Sequence, residues 1–157
     1  DPKTKVVHGW DAGAALRIMP VPADSIDIEL VHGQTEPHIQ GWHVVGKAKA
    51  PMWTPIYRWQ ATGKTTRAWV LVPAGADQNW CVDRAKIETN SPKLLAVRCV
   101  HPDGSSAVIY RRDPSQPPQQ IDGVELDGDV GAISVTMAGK VQERFSVKPK
   151  PGSVSAR

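Results

Sequence analysis

The stretch that decides the fold runs over residues 41–73, GWHVVGKAKAPMWTPIYRWQATGKTTRAWVLVP. It holds four of the six tryptophans and one of the two tyrosines. Within it, residues 56–61 and 65–72 are rich in the aromatic and β-branched side chains that suit a pleated surface. Thr62, Gly63 and Lys64 lie between these runs and predict a hairpin turn. Alternation along the first run sets Tyr57, Trp59 and Ala61 on one face and Ile56, Arg58 and Gln60 on the other. One face of such a hairpin is wide and aromatic.

Length and composition limit what this hairpin can belong to. A chain of 157 residues fits one domain, enough to bury about two thirds of the surface of its unfolded form. It is 40% hydrophobic and 22% charged, as a globular chain is, but its 14 prolines and 13 glycines interrupt too often for helices. The net charge of +3 comes from 19 basic and 16 acidic residues, with the signs interspersed. A nucleic-acid binder would carry a dense Lys/Arg stripe on a recognisable module, and no such stripe is present. No apolar run is long enough to span a bilayer, and no leader pattern opens the chain. The polar residues 1–11 read as the interior of a longer protein, with any targeting signal removed or lying upstream.

Outside the central stretch the pattern is one of short strands. Residues 14–19 alternate Ala14, Leu16 and Ile18 against Ala15 and Arg17, and Pro20 and Pro22 break the run. Residues 25–31 read as a half-buried strand, with Ile26, Ile28 and Leu30 facing in and Asp27 and Glu29 facing out. Residues 32–49 lose the apolar period and read as a long connection carrying His32, His38, Gln40, Trp42 and His43, of the kind that often serves function. Further strands are predicted at 80–88, 94–100, 107–112, 121–126, 130–137 and 141–147. The turns between them fall at Asn90 to Lys93, at Pro102 to Ser105, at Asp127 and Gly128, and at Ala138 to Lys140; DPSQPPQQ (113–120) is a proline-rich loop. The expectation is an all-β fold, an antiparallel β-sandwich of about ten short strands in a single domain over residues 1–147, followed by a flexible tail at 148–157.

Few constellations offer chemistry. His32, His38 and His43 match no helical or strand face and have no cysteine or paired carboxylate to complete a zinc set, so ordinary hydrogen bonding accounts for them. No GxSxG elbow supports acyl transfer. IDGVELDGD (121–129) lacks the spaced ligands and closing glutamate of an EF-hand, and paired Asp-Gly hairpin turns explain it more simply. No metal, cofactor or catalytic residue is predicted. Cys81 and Cys99 lie on segments expected to pair about the turn at 90–93. They read either as a cross-strand disulfide in an oxidising compartment or as two buried thiols, because a one-residue slip would part them.

The tryptophans are the sharpest feature. Pyranose rings present apolar C–H faces that stack on flat aromatics, while hydroxyls and carboxylates take hydrogen bonds from polar side chains. Trp42, His43, Trp53, Tyr57 and Arg58 are therefore the predicted ligand-binding residues. Core packing is the competing explanation in a chain whose one phenylalanine is Phe145. It suits Trp59 and Trp69 best, near the middle of their strands, and weighs equally with binding for Trp42 and Trp53.

The succession GWHVVGKAKAPMWTPIYRW, a short turn, then TTRAWVLVP resembles the carboxy-terminal β-sandwich region of the heparinase II/III-like polysaccharide lyases, some of which act on alginate oligomers. Gly41, Trp42, Ala50, Pro51, Tyr57, Trp59 and Pro73 occupy the matching positions. SSAVIYRR and IDGVELDGDVGAISVTMAGKVQERFSV are similar to the closing strands of that region, so the likeness covers most of residues 8–147. It implies an upstream α/α toroid that carries most of the catalytic machinery, an acidic polysaccharide as ligand, and a secreted or periplasmic bacterial protein. The elimination acid and base fall on no residue of this chain, which is expected to be an accessory, non-catalytic portion. A free-standing carbohydrate-binding module and a structural cell-surface sandwich are the alternatives. The first expectation carries its own signature, a broad apolar patch where the toroid docks.

Overall fold

The computed structural model describes residues 1–147 apart from Pro2, Ala12, Gly46, Lys64 and Asp127. The expected tail at 148–157 and the first residue of the expected Asp127–Gly128 turn lie outside the described residues. The chain is all-β and sandwich-like, with antiparallel pairing and no helix among the described residues. It divides into two compact units, one of Asp1–Val7 and Ala23–Thr65, the other of His8–Pro22 and the residues from Thr66 onward.

The described residues form fourteen strands, more than the ten or so the sequence suggests. The first unit contains β3 (Ile26–His32) paired with β6 (Trp53–Trp59), and β4 (Trp42–Val45) paired with β5 (Ala48–Pro51). The expected long connection at 32–49 therefore contains a hairpin arm of its own. β1 (Val7–Asp11), which belongs to the second unit from His8 onward, forms one sheet with β2 (Ala14–Val21) and β7 (Ala68–Gly75) of that unit. A five-stranded sheet runs in the order β14 (Val141–Val147), β13 (Val130–Val135), β10 (Ser106–Arg112), β9 (Leu94–Val100), β8 (Arg84–Asn90). A small hairpin of β11 (Gln119–Ile121) and β12 (Val124–Leu126) completes the unit.

The central hairpin expected from 56–61 and 65–72 does not form. β6 pairs with β3, and β7 pairs with β2 from Ala14↔Gly75 to Val21↔Ala68. The Thr62-Gly63-Lys64 cue marks a connection, because partners with longer apolar ladders exist elsewhere in the chain. β2 also continues through Pro20 to Val21, and its buried residues are Ala15, Met19, Pro20 and Val21. Leu16 and Ile18 are only half-buried.

The core of the second unit follows from alternation. Leu94 and Ala96 on β9, Val108 and Tyr110 on β10, and Ile133 and Val135 on β13 point to one side of the sheet. Ile121 and Leu126 from the β11–β12 hairpin join them. Burying each large aliphatic among these stabilises by about 1.5–3 kcal/mol. Tyr110 fits because its partner in the ladder is Gly131, where an added Cβ would lie 2.5 Å from the tyrosine hydroxyl. The β11–β12 turn is Asp122-Gly123, with φ of 52° and 72°, the left-handed pair that a type I′ hairpin requires.

Beside this core Arg98 ties four segments together. Its Nε donates to Glu88 on β8 (2.9 Å), Nη1 to Ser106 on β10 (3.0 Å) and Nη2 to Asp122 at the hairpin turn (2.7 Å). Its side chain is only 13% exposed. The Arg98 hydrogen bond holds the Glu88 carboxyl below its usual range, against the opposing effect of burial. A carboxyl depressed in the folded state stabilises above its unfolded value, near 4.3, and that stabilisation is lost as pH falls through the folded value. Glu88→Gln is accordingly expected to cost about 1–2 kcal/mol at pH 7 and much less at pH 3. Urea midpoints of both proteins at the two pH values test this, and a cost independent of pH would refute it.

Candidate functional site

The β3–β6 register builds a chemically one-sided ribbon. Ile26↔Trp59, Ile28↔Tyr57, Leu30↔Pro55 and His32↔Trp53 are direct cross-strand pairs and so share one face. Asp27↔Arg58, Glu29↔Ile56 and Val31↔Thr54 take the other. The first face thus carries two indoles, a phenol, an imidazole, a proline and three aliphatics.

This face grades from covered to open. Ile26 is buried and Ile28, Pro55 and Tyr57 are half-buried, whereas Trp59 is 42% exposed, Leu30 53% and Trp53 65%. The His32 ring lies against Trp53 with centroids 4.7 Å apart and planes tilted by 32°. That contact restrains an indole that solvent would otherwise leave free to change rotamer. Tyr57 donates its hydroxyl to the Lys5 carbonyl at 3.4 Å, and burial raises its phenol above the ordinary value. At neutral pH it is a protonated donor rather than a base.

The predicted binding residues separate on this framework. Trp53 and Tyr57 share the aromatic face. Arg58 points to the opposite one, where it forms an exposed ion pair with Glu29. Trp42 and His43 belong to β4, opposite Pro51 and Ala50. The Trp42 indole N–H donates to the Gln34 carbonyl at 3.0 Å, and its ring lies over Gly33. Its role is to close the loop at 33–41, while His43 is exposed on the other side of the strand. Trp59, which an expected mid-strand position assigned to the core, is the last residue of β6 and is exposed. Leu30 is likewise exposed, and Val31 is the buried residue at that end of β3.

His32 and Leu30 are members of the face that inspection of the aromatic stretch alone misses. Their signal is the even-numbered series Ile26, Ile28, Leu30, His32, which becomes informative only once β6 is known to be the partner. Among the described residues no group of three or more His, Cys, Asp or Glu could hold a metal ion. Both cysteines are free thiols, Cys81 exposed and Cys99 buried. Cys81 precedes β8, and the β8–β9 register pairs Cys99 with Ala85. Burial raises the Cys99 thiol, with a smaller effect of Cys81 in the same direction. No protein-family model, curated protein or solved structure matches the chain.

The loop that joins β3 to β4 is anchored at Gly41. Its carbonyl accepts from Gly33 N (3.0 Å) and Met52 N (2.7 Å), and Gln34 and Gln40 exchange backbone bonds of 2.9 and 3.0 Å. Gly41 has φ of +70°, and an added Cβ would lie 2.9 Å from both Gly33 N and Met52 O. Gly41→Ala therefore combines left-handed strain with a clash against backbone, costing about 1–3 kcal/mol. A lowered urea midpoint together with faster proteolysis within 33–41 is the expected result, and unchanged values for both would show that the junction is not tight.

Proposed function

We propose that the chain is an accessory, non-catalytic β-module that binds an acidic polysaccharide. The carrying observation is the solvent-open aromatic face of β3 and β6, with Trp53 and Trp59 at its exposed positions. Indoles held on a strand offer large flat apolar areas at low entropic cost, which is what the C–H faces of sugar rings need. The acidic character of the polymer rests on the resemblance to the heparinase II/III-like lyases and on the positive net charge.

In this reading the module belongs to a uronate-polysaccharide lyase, supports an α/α toroid upstream, and works in the periplasm or outside a bacterial cell. A second observation favours the toroid as partner. The face of the five-stranded sheet turned away from the core presents Ile109, Val130, Phe145 and Val147, all exposed, in adjacent strands. An apolar patch of this kind is what a docked neighbouring domain leaves bare when it is absent. A free-standing carbohydrate-binding module is the alternative, and it needs no such patch.

Affinity electrophoresis through gels containing alginate, heparin or a neutral glucan tests the binding role. Retardation by an acidic polymer is expected, with Trp53→Ala and Trp59→Ala each weakening it about tenfold, or ~1.4 kcal/mol. Arg58→Ala, on the opposite face, should leave it within about twofold. If no acidic polymer retards the protein, the function proposed here is wrong.

A further inference from the structure

We propose that a cleft beside Trp80 is a second binding site, one that takes a neutral pyranose. The cleft has a volume of about 670 Å³, within the range of small-molecule sites, and lies wholly in the second unit. Its walls come from the connection after β7, the turn after β9, and Arg17 on β2.

Each wall is fixed before any ligand arrives. The Arg17 guanidinium sits 4.6 Å above the Trp80 ring centroid, and the His8 ring stacks on the same indole at 5.3 Å. Arg17 donates from Nη1 to the Val82 carbonyl (2.8 Å) and from Nε to His8 Nε2 (3.1 Å). Burial, and then the Arg17 charge, lower the His8 pKa, so at neutral pH that nitrogen is an acceptor. These bonds use two of the five guanidinium N–H donors, and Arg17 lines the cleft.

The neighbouring loop is equally constrained. Asp77 accepts from Asn79 N (3.3 Å) and Asn79 Nδ2 (2.5 Å). Gln78 donates its backbone N–H to Gly75 O (3.0 Å) and holds φ of +53°. A non-glycine residue in that region is strained and persists only where its surroundings impose it. On the far wall His101 Nδ1–H donates to the Cys81 carbonyl, and Asp103 accepts from Ser105 N (2.9 Å) and Oγ (2.6 Å).

The arrangement selects by chemistry. Arg17, Gln78 and Asn79 supply donors, and Asp83 and Asp103 supply acceptors, around the edge of an indole. A sugar hydroxyl both donates and accepts, so a ring with several hydroxyls matches a rim of mixed polarity. Two carboxylates against one guanidinium, with His8 neutral, disfavour an anionic ring. The site thus differs in preference from the β3–β6 face and stands independently of the function proposed for that face.

Indole N–H chemical shifts in ¹H–¹⁵N spectra test the assignment, with the Trp80 resonance identified from Trp80→Phe. Maltotriose, cellotriose, mannotriose and trigalacturonate serve as probes. At least one neutral trisaccharide is expected to shift the Trp80 signal saturably, with trigalacturonate binding about tenfold more weakly. Asp83→Asn and Asp103→Asn should each weaken the neutral sugar about threefold without moving the Trp80 signal of the free protein. Trp53→Ala should change nothing, which separates this site from the aromatic face. The absence of a saturable shift with every neutral sugar, or equal binding of trigalacturonate, would overturn the proposal.

Discussion

Two residues placed opposite each other in an antiparallel ladder must project from the same side of the sheet. In this chain that constraint does most of the sorting of side chains. Pairing β6 with β3 gathers Trp53, Tyr57 and Trp59 on one side with Ile28, Leu30 and His32, and sends Arg58 to the other side with Glu29. A shift of one residue would leave the aromatics of β6 together but set Asp27 and Glu29 beside them in place of Ile28, Leu30 and His32. The alignment of the aromatics is thus a property of β6, and their apolar surround a property of the pairing.

The same constraint builds the core of the second unit, where it also sets a size limit. Tyr110 lies opposite Gly131, and the phenol ring occupies the space that any side chain at 131 would need. Strands that face the core at one end carry polar work at the other. Arg98 lies in line with the apolar residues of β9, yet it joins β8, β10 and the β11–β12 turn through charged and neutral hydrogen bonds. Such a residue is stabilising only because its partners are in place, since a guanidinium left buried and unpaired is costly.

Much of the local structure is legible in the sequence. Residues 94–100 and 141–147 are strands over the lengths their composition suggests, and the turns at 90–93 and 102–105 lie where Asn, Pro, Asp and Gly cluster. Asp122-Gly123 makes a hairpin turn in place of a calcium loop, as its dipeptide chemistry dictates. What the sequence conceals is long-range choice. TGK between two β-rich runs is a sound hairpin cue, but each run finds a partner more than twenty positions away, and local propensity carries no information about that. The cysteines are similar, since where β8 begins decides that Cys81 stays outside the ladder and that Ala85 faces Cys99. Trp59 is a related case: strand limits drawn from composition put it mid-strand, whereas β6 ends at it.

The β3–β6 register carries the functional reading, and interstrand nuclear Overhauser contacts measure it directly. In a ¹³C,¹⁵N-labelled sample, backbone contacts are expected between Ile28 and Tyr57 and between His32 and Trp53. Contacts linking residues 56–61 to residues 65–72 in their place would restore the local hairpin, remove Ile28, Leu30 and His32 from beside the aromatics and contradict the structure on which the polysaccharide-binding function depends.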